Sequence, residues 1–153
     1  MKKNLFSFIC LVFVTLSFAQ TNDTEIKQIQ NYIQTTSQSE WFDPINNSGT
    51  LENGILYDLA YYILPNNETF SIIYTVFDKT TLRKVFYFKE NKIIACIIEE
   101  TDANNANKLL RYADYFYKDG TLMNPEAENK DFPSVAIHQE GLDKNKQAPQ
   151  LNN

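Results

Sequence analysis

The hydrophobic pattern of the chain changes period along its length. Ile26, Ile29 and Ile33 recur at helical spacing with Tyr32 beside them, which predicts an amphipathic helix over about Asp23 to Thr36. Asn22 followed three residues later by Glu25 matches a capping box at its start. The apolar stripe is narrow, enough to cover one face of a sheet. The next stretch, "EWFDPINNSGT", predicts a linker pinned by Trp41 and Phe42 and turned by Pro44 and Gly49.

From Gly54 the pattern becomes that of strands. Runs at Ile55–Leu64, Thr69–Phe77, Leu82–Phe88, Lys92–Glu100 and Lys108–Tyr117, with a short return through "TLM", are rich in β-branched and aromatic residues and end in turn formers. The connections are mostly too short for crossover helices, so neighbours should pair antiparallel. The expected fold is α+β: an N-terminal helix packed on an antiparallel β-meander of about six strands.

Two of the corners are alike. "FYFKENKII" and "YFYKDGTLM" match in character position by position, with three aromatics, Lys, an acid, Asn or Gly, then a polar and two apolar residues. Asp119-Gly120 is a strong signal for a two-residue turn, because glycine adopts the positive φ that a type I′ turn requires. The register then pairs Lys118 with Thr121, Tyr117 with Leu122 and Phe116 with Met123. The same offset at Glu90-Asn91 pairs Phe88 with Ile93 and Tyr87 with Ile94. Alternation places Tyr115 and Tyr117 on the face opposite Phe116. These hairpins resemble the "Y-x-x-G-x-L" units of MORN-type repeats and of the related antitoxin repeat proteins, over Phe86 to Ile94 and Tyr115 to Met123 only, and only the second copy has the glycine. The resemblance implies a structural hairpin without catalytic residues.

The termini set the compartment and the domain limits. "MKKNLFSFICLVFVTLSFAQ" combines two lysines, a short apolar run and small residues before Gln20, which predicts a signal peptide over residues 1–19 and a periplasmic or secreted protein. The run is too short for a stable membrane span, which needs ~20 apolar residues. In layout the chain resembles small secreted proteins of Gram-negative bacteria that join a signal ending in "FAQ" to a helix and an antiparallel sheet. The remaining chain is expected to form one domain over residues 20–142. "SVAIHQE", between Pro133 and Gly141, predicts a short helix, and the polar residues 143–153 predict a disordered tail.

Charge and chemistry then narrow the function. Removal of the signal takes the formal net charge from −5 to −7 and leaves no basic cluster longer than Arg83-Lys84, which argues against nucleic acid as a partner. Cys96 alone survives cleavage, so no intrachain disulfide can form, and its isoleucine neighbours predict a buried thiol. His138 is the single histidine, too few ligands for zinc beside one buried Cys and no basis for a triad within the core. No phosphate loop or calcium loop is present, and no cofactor is expected.

Asp58 and Asp114 interrupt apolar strands. Each is either a buried carboxylate of raised pKa, a residue of a sheet face left open to water, or a partner of Arg83 or Arg111. The many tyrosines, Tyr57, Tyr61, Tyr115 and Tyr117 among them, suit a surface that is apolar on one side and wet on the other. With one helix on one face, the other face should display some of these rings. The expectation is a non-catalytic exported protein that binds another protein or an extended ligand through a Tyr-rich sheet face, using Tyr57, Tyr61, Tyr115, Tyr117, Asp58 and Asp114. The alternatives are an inhibitor or immunity-type protein with an acidic surface, and an enzyme using Asp58 or Asp114.

Overall fold

A computed structural model describes residues 22–38 and 43–150. The signal-peptide reading of residues 1–19 and the pinning role of Trp41 and Phe42 fall outside them. Helix α1 spans residues 22–38. Seven strands follow, β1 (Ile45–Thr50), β2 (Leu56–Ile63), β3 (Thr69–Phe77), β4 (Thr80–Lys89), β5 (Lys92–Asp102), β6 (Asn105–Lys118) and β7 (Thr121–Leu122), then a 3-10 turn at Pro125–Ala127 and helix α2 (Ser134–Asn145). The strands lie in sequence order, every neighbour antiparallel, so the sheet is the expected meander. No described helix is long and apolar enough to cross a membrane.

The strand absent from the sequence reading is β1. "INNSGT" is polar, and it becomes a strand because β2 offers it a complete ladder from Ile45↔Tyr61 to Thr50↔Leu56. The Tyr57 ring fills the space a side chain at Gly49 would need, its hydroxyl 2.7 Å from the ideal Cβ position.

Both two-residue corners take positive φ throughout: 52° and 60° at Glu90 and Asn91, 48° and 81° at Asp119 and Gly120. Lys118↔Thr121, Tyr117↔Leu122 and Phe88↔Ile93 pair as expected, and Met123 N–H donates to the Phe116 carbonyl. One expectation is corrected: a bulge between Tyr87 and Phe88 moves Tyr87 from Ile94 to Ala95. The bulge puts Phe88 and Ile93 into one core while Tyr87 and Ala95 face the other, which an unbroken two-residue period cannot do.

The sheet has a core on each side. On one, Ile26, Ile29 and Ile33 of α1 pack with Tyr87 against Ala95, Phe116 and Met123. The helix's 17 residues make a rod of about 25 Å, which matches roughly five strand spacings laid crosswise. The residues of the expected capping box are engaged with the sheet: Asn22 Nδ2 donates to the Met123 carbonyl at 3.1 Å, and Glu25 accepts from Lys118 at 2.5 Å.

The other core is larger and is closed by α2. Ile137 packs with Ile72, Phe86, Phe88, Cys96, Ile98 and Tyr115. Gly141, anticipated as a helix end, lies inside α2 and is buried. A Cβ there would fall 2.5 Å from Phe86 Cδ1 and 2.7 Å from Ile93 Cδ1, so glycine lets the helix axis approach the sheet. The tail expectation is also corrected, since residues 143–145 are helical and Ala148 packs against this core.

Candidate functional site

The ladder lets each face be followed crosswise, row by row. Beneath α1 runs Tyr62–Ser71–Tyr87–Ala95–Phe116. One step further along the strands comes Ala60–Ile73–Val85–Ile97–Asp114, and the next step is Asp58–Thr75–Arg83–Glu99–Tyr112. A third step ends in Leu56, Phe77 and Leu109, which are 58%, 42% and 54% exposed. The α1 isoleucines pack on the first row, and α2 lies on the opposite face. Among the described helices none covers the rows beyond the first.

These rows form a shelf beside α1, with an aliphatic inner stripe and a polar outer one. Ile73 stands between two shallow clefts. One, about 360 Å³, is lined by Ser48, Asp58, Ala60, Ile73 and Thr75; the other, about 210 Å³, by Ser37, Tyr62, Ile73, Arg83 and Val85. Val85 is buried at the floor of the second. Arg83 Nη1 donates to Glu99 Oε2 at 3.0 Å, so the cation at the centre of the outer stripe is already paired.

The proposed partners of the two strand aspartates must be corrected. Arg83 goes to Glu99, and Arg111 to Glu100 and Asp131. Asp58 and Asp114 carry no ion pair among the described residues; Asp58 is exposed and Asp114 half-buried. They stand four strands apart, a separation of roughly 20 Å across the sheet. Of the two, only Asp58 lines the clefts described, so they do not make an acid–base pair in one pocket.

The tyrosines are placed otherwise than expected. Tyr61, Tyr115 and Tyr117 are 4%, 0% and 2% exposed, and Tyr57 packs against the same core. Tyr115 and Tyr117 do lie opposite Phe116, but α2 and the segment before it seal their face. Tyr115 Oη donates to the Phe132 carbonyl at 2.6 Å and Tyr117 Oη to the Ser134 carbonyl at 2.9 Å. Each phenol therefore buries its ring and satisfies its hydroxyl, which is why tyrosine can serve here as a core residue. Burial pushes the Tyr117 phenol well above its ordinary value. Among the described tyrosines the exposed ring is Tyr112, 49% accessible at the outer corner of the shelf. Sequence reasoning passed over Ile73 and Ile97, and counted Tyr112 among the surplus tyrosines without singling it out, because nothing in a period-two pattern says which face a second helix takes.

A further cleft of about 350 Å³ lies between α1 and the two hairpin corners, with Ile29, Ile94 and Met123 among its lining. Its rim is largely self-satisfied: Lys92 pairs with Asp119 at 2.8 Å, Lys118 with Glu25, and Lys89 stands 5.1 Å above the Tyr32 ring. These contacts tie the helix to the hairpins and leave little charge for a ligand. Cys96 is fully buried and its thiol is pushed up by burial, so it is no nucleophile. Among the described residues no group of His, Cys, Asp and Glu could hold a metal ion. Compared with protein-family models, curated proteins and solved structures, the chain matches none.

Proposed function

We propose that the chain is an exported, non-catalytic interaction protein whose partner, a protein or extended ligand, docks on the shelf beside α1. The observation that carries this reading is the aliphatic row beyond the one that α1 covers, in which Ala60, Ile73 and Ile97 stay half-buried on either side of the buried Val85 and are bordered by charged and hydroxyl side chains. A contiguous apolar strip with a polar rim is the usual makeup of an interaction surface. Tyr112 at the corner adds a ring of the type enriched at such surfaces. The recognition face is thus the one opposite Tyr61, Tyr115 and Tyr117, and of the sequence candidates Asp58 and Asp114 belong to it. Export is supported by the N-terminal sequence.

The test is capture of partners from the cell-envelope fraction on the immobilised chain, comparing Ile97→Glu on the shelf with Val135→Glu, a residue 81% exposed on α2. Ile97→Glu should lose the captured partner while its melting curve stays two-state, and Val135→Glu should retain it. The opposite pattern overturns the proposal.

A further inference from the structure

The shelf's geometry selects the kind of element that can lie on it. It runs crosswise over β2 to β6, and these strands have neighbours on both sides along the stretch concerned, apart from the outer edge of β6. An extended segment laid across them would find no backbone partners, and its own N–H and C=O groups would be buried unpaired against Ile73, Val85 and Ile97. A helix satisfies its backbone internally. Helix α1 already solves the same problem one row away with three isoleucines, and a second helix beside it would sit about 8–10 Å from its axis, over the aliphatic row.

Charge then sets the ends. The centre of the outer stripe is neutralised by the Arg83–Glu99 pair, while Asp58, at the β2 end of that stripe, and Asp114, at the β6 end of the aliphatic row, are without ion-pair partners among the described residues. Their separation of roughly 20 Å corresponds to about 13 residues of helix.

Resting on the docking face proposed above, we infer that the partner contributes an amphipathic helix that lies alongside α1, its apolar stripe on the half-buried Ala60, Ile73 and Ile97, with a Lys or Arg near each end over Asp58 and Asp114. The chemistry recognised is a basic-ended, apolar-striped helix, and the Asp58 and Asp114 carboxylates fix its length and register.

The experiment places a photo-crosslinking amino acid at Ile73 or at Ile97 of the full chain in its native cells, sequences the crosslinked segment, and measures binding of that segment as a synthetic peptide. The expected segment has helical apolar spacing and basic residues about 13 positions apart, and gains helicity on binding. Asp58→Lys and Asp114→Lys should each weaken it roughly three- to fivefold, the range of an exposed ion pair, and the double variant more. Asp58 is exposed and Asp114 half-buried, so the melting curve of each variant checks that folding persists. An extended segment, a second copy of this chain, a lipid or a glycan at the crosslink, or a helix indifferent to both charge reversals, overturns the inference. If the reversals do nothing while Ile97→Glu still abolishes binding, the docking face stands and only the helix falls. If Ile97→Glu is also silent, both fall.

Discussion

Glu100 shows how much of the sheet's polar chemistry is structural. It is 6% exposed, accepts from Thr80 Oγ1 at 2.6 Å and from Arg111 Nε, and Arg111 continues to Asp131 at 2.7 Å while its guanidinium lies 4.9 Å over the Phe132 ring. The network fastens the segment before α2 to the sheet. Arg111 holds the Glu100 carboxyl below its ordinary value. The folded chain therefore binds that proton more weakly than the unfolded chain does. The stabilisation is present above the usual carboxylate value of about 4.3 and is lost as pH falls through the lower folded value. Glu100→Gln should cost about 1–2 kcal/mol at pH 7, discounted because Arg111 is partly exposed. Melts from pH 7 to pH 3 should show a shallower acid loss for the variant than for the parent chain. Equal acid slopes would assign the pH dependence to other carboxylates.

At the scale of elements, the corners and strands were readable because turn chemistry and alternation are local. Asp119-Gly120 fixed its hairpin register outright. Glu90-Asn91 gave the turn but not the bulge beside it, since the bulge answers to two cores that only the assembled sheet defines. β1 was unreadable for a related reason, because a polar edge strand is specified by its neighbour's ladder. The unlike residues of the two corners make a prediction. Glu90 and Asn91 hold φ of 52° and 60° without a glycine, so replacing them with Asn-Gly should stabilise the fold by ~0.5–1 kcal/mol, net of glycine's greater unfolded freedom. Urea unfolding should show a raised midpoint with an unchanged slope. A lowered midpoint would mean that Glu90 makes contacts beyond the turn.

For the whole molecule, the decisive difference between sequence and structure is the second helix. One helix on one face was legible from Ile26, Ile29 and Ile33. That Ser134–Asn145 would close the other face was not, because a buried interior glycine looks in sequence like a helix end and only three α2 residues are buried: Ser134, Ile137 and Gly141. Once α2 is seated, the Tyr115/Tyr117 face becomes core, and the rows that no described helix covers lie beside α1 on the opposite face. Asp58 and Asp114 share a different property, the lack of an ion pair among the described residues, which no single-strand pattern reveals. Tyrosine footprinting with and without the captured partner tests this assignment most directly. Tyr112 should be modified in the free protein and protected in the complex, with Tyr115 and Tyr117 unmodified in both states. Modification of Tyr115 or Tyr117 in the free protein, with protection on binding, would contradict it.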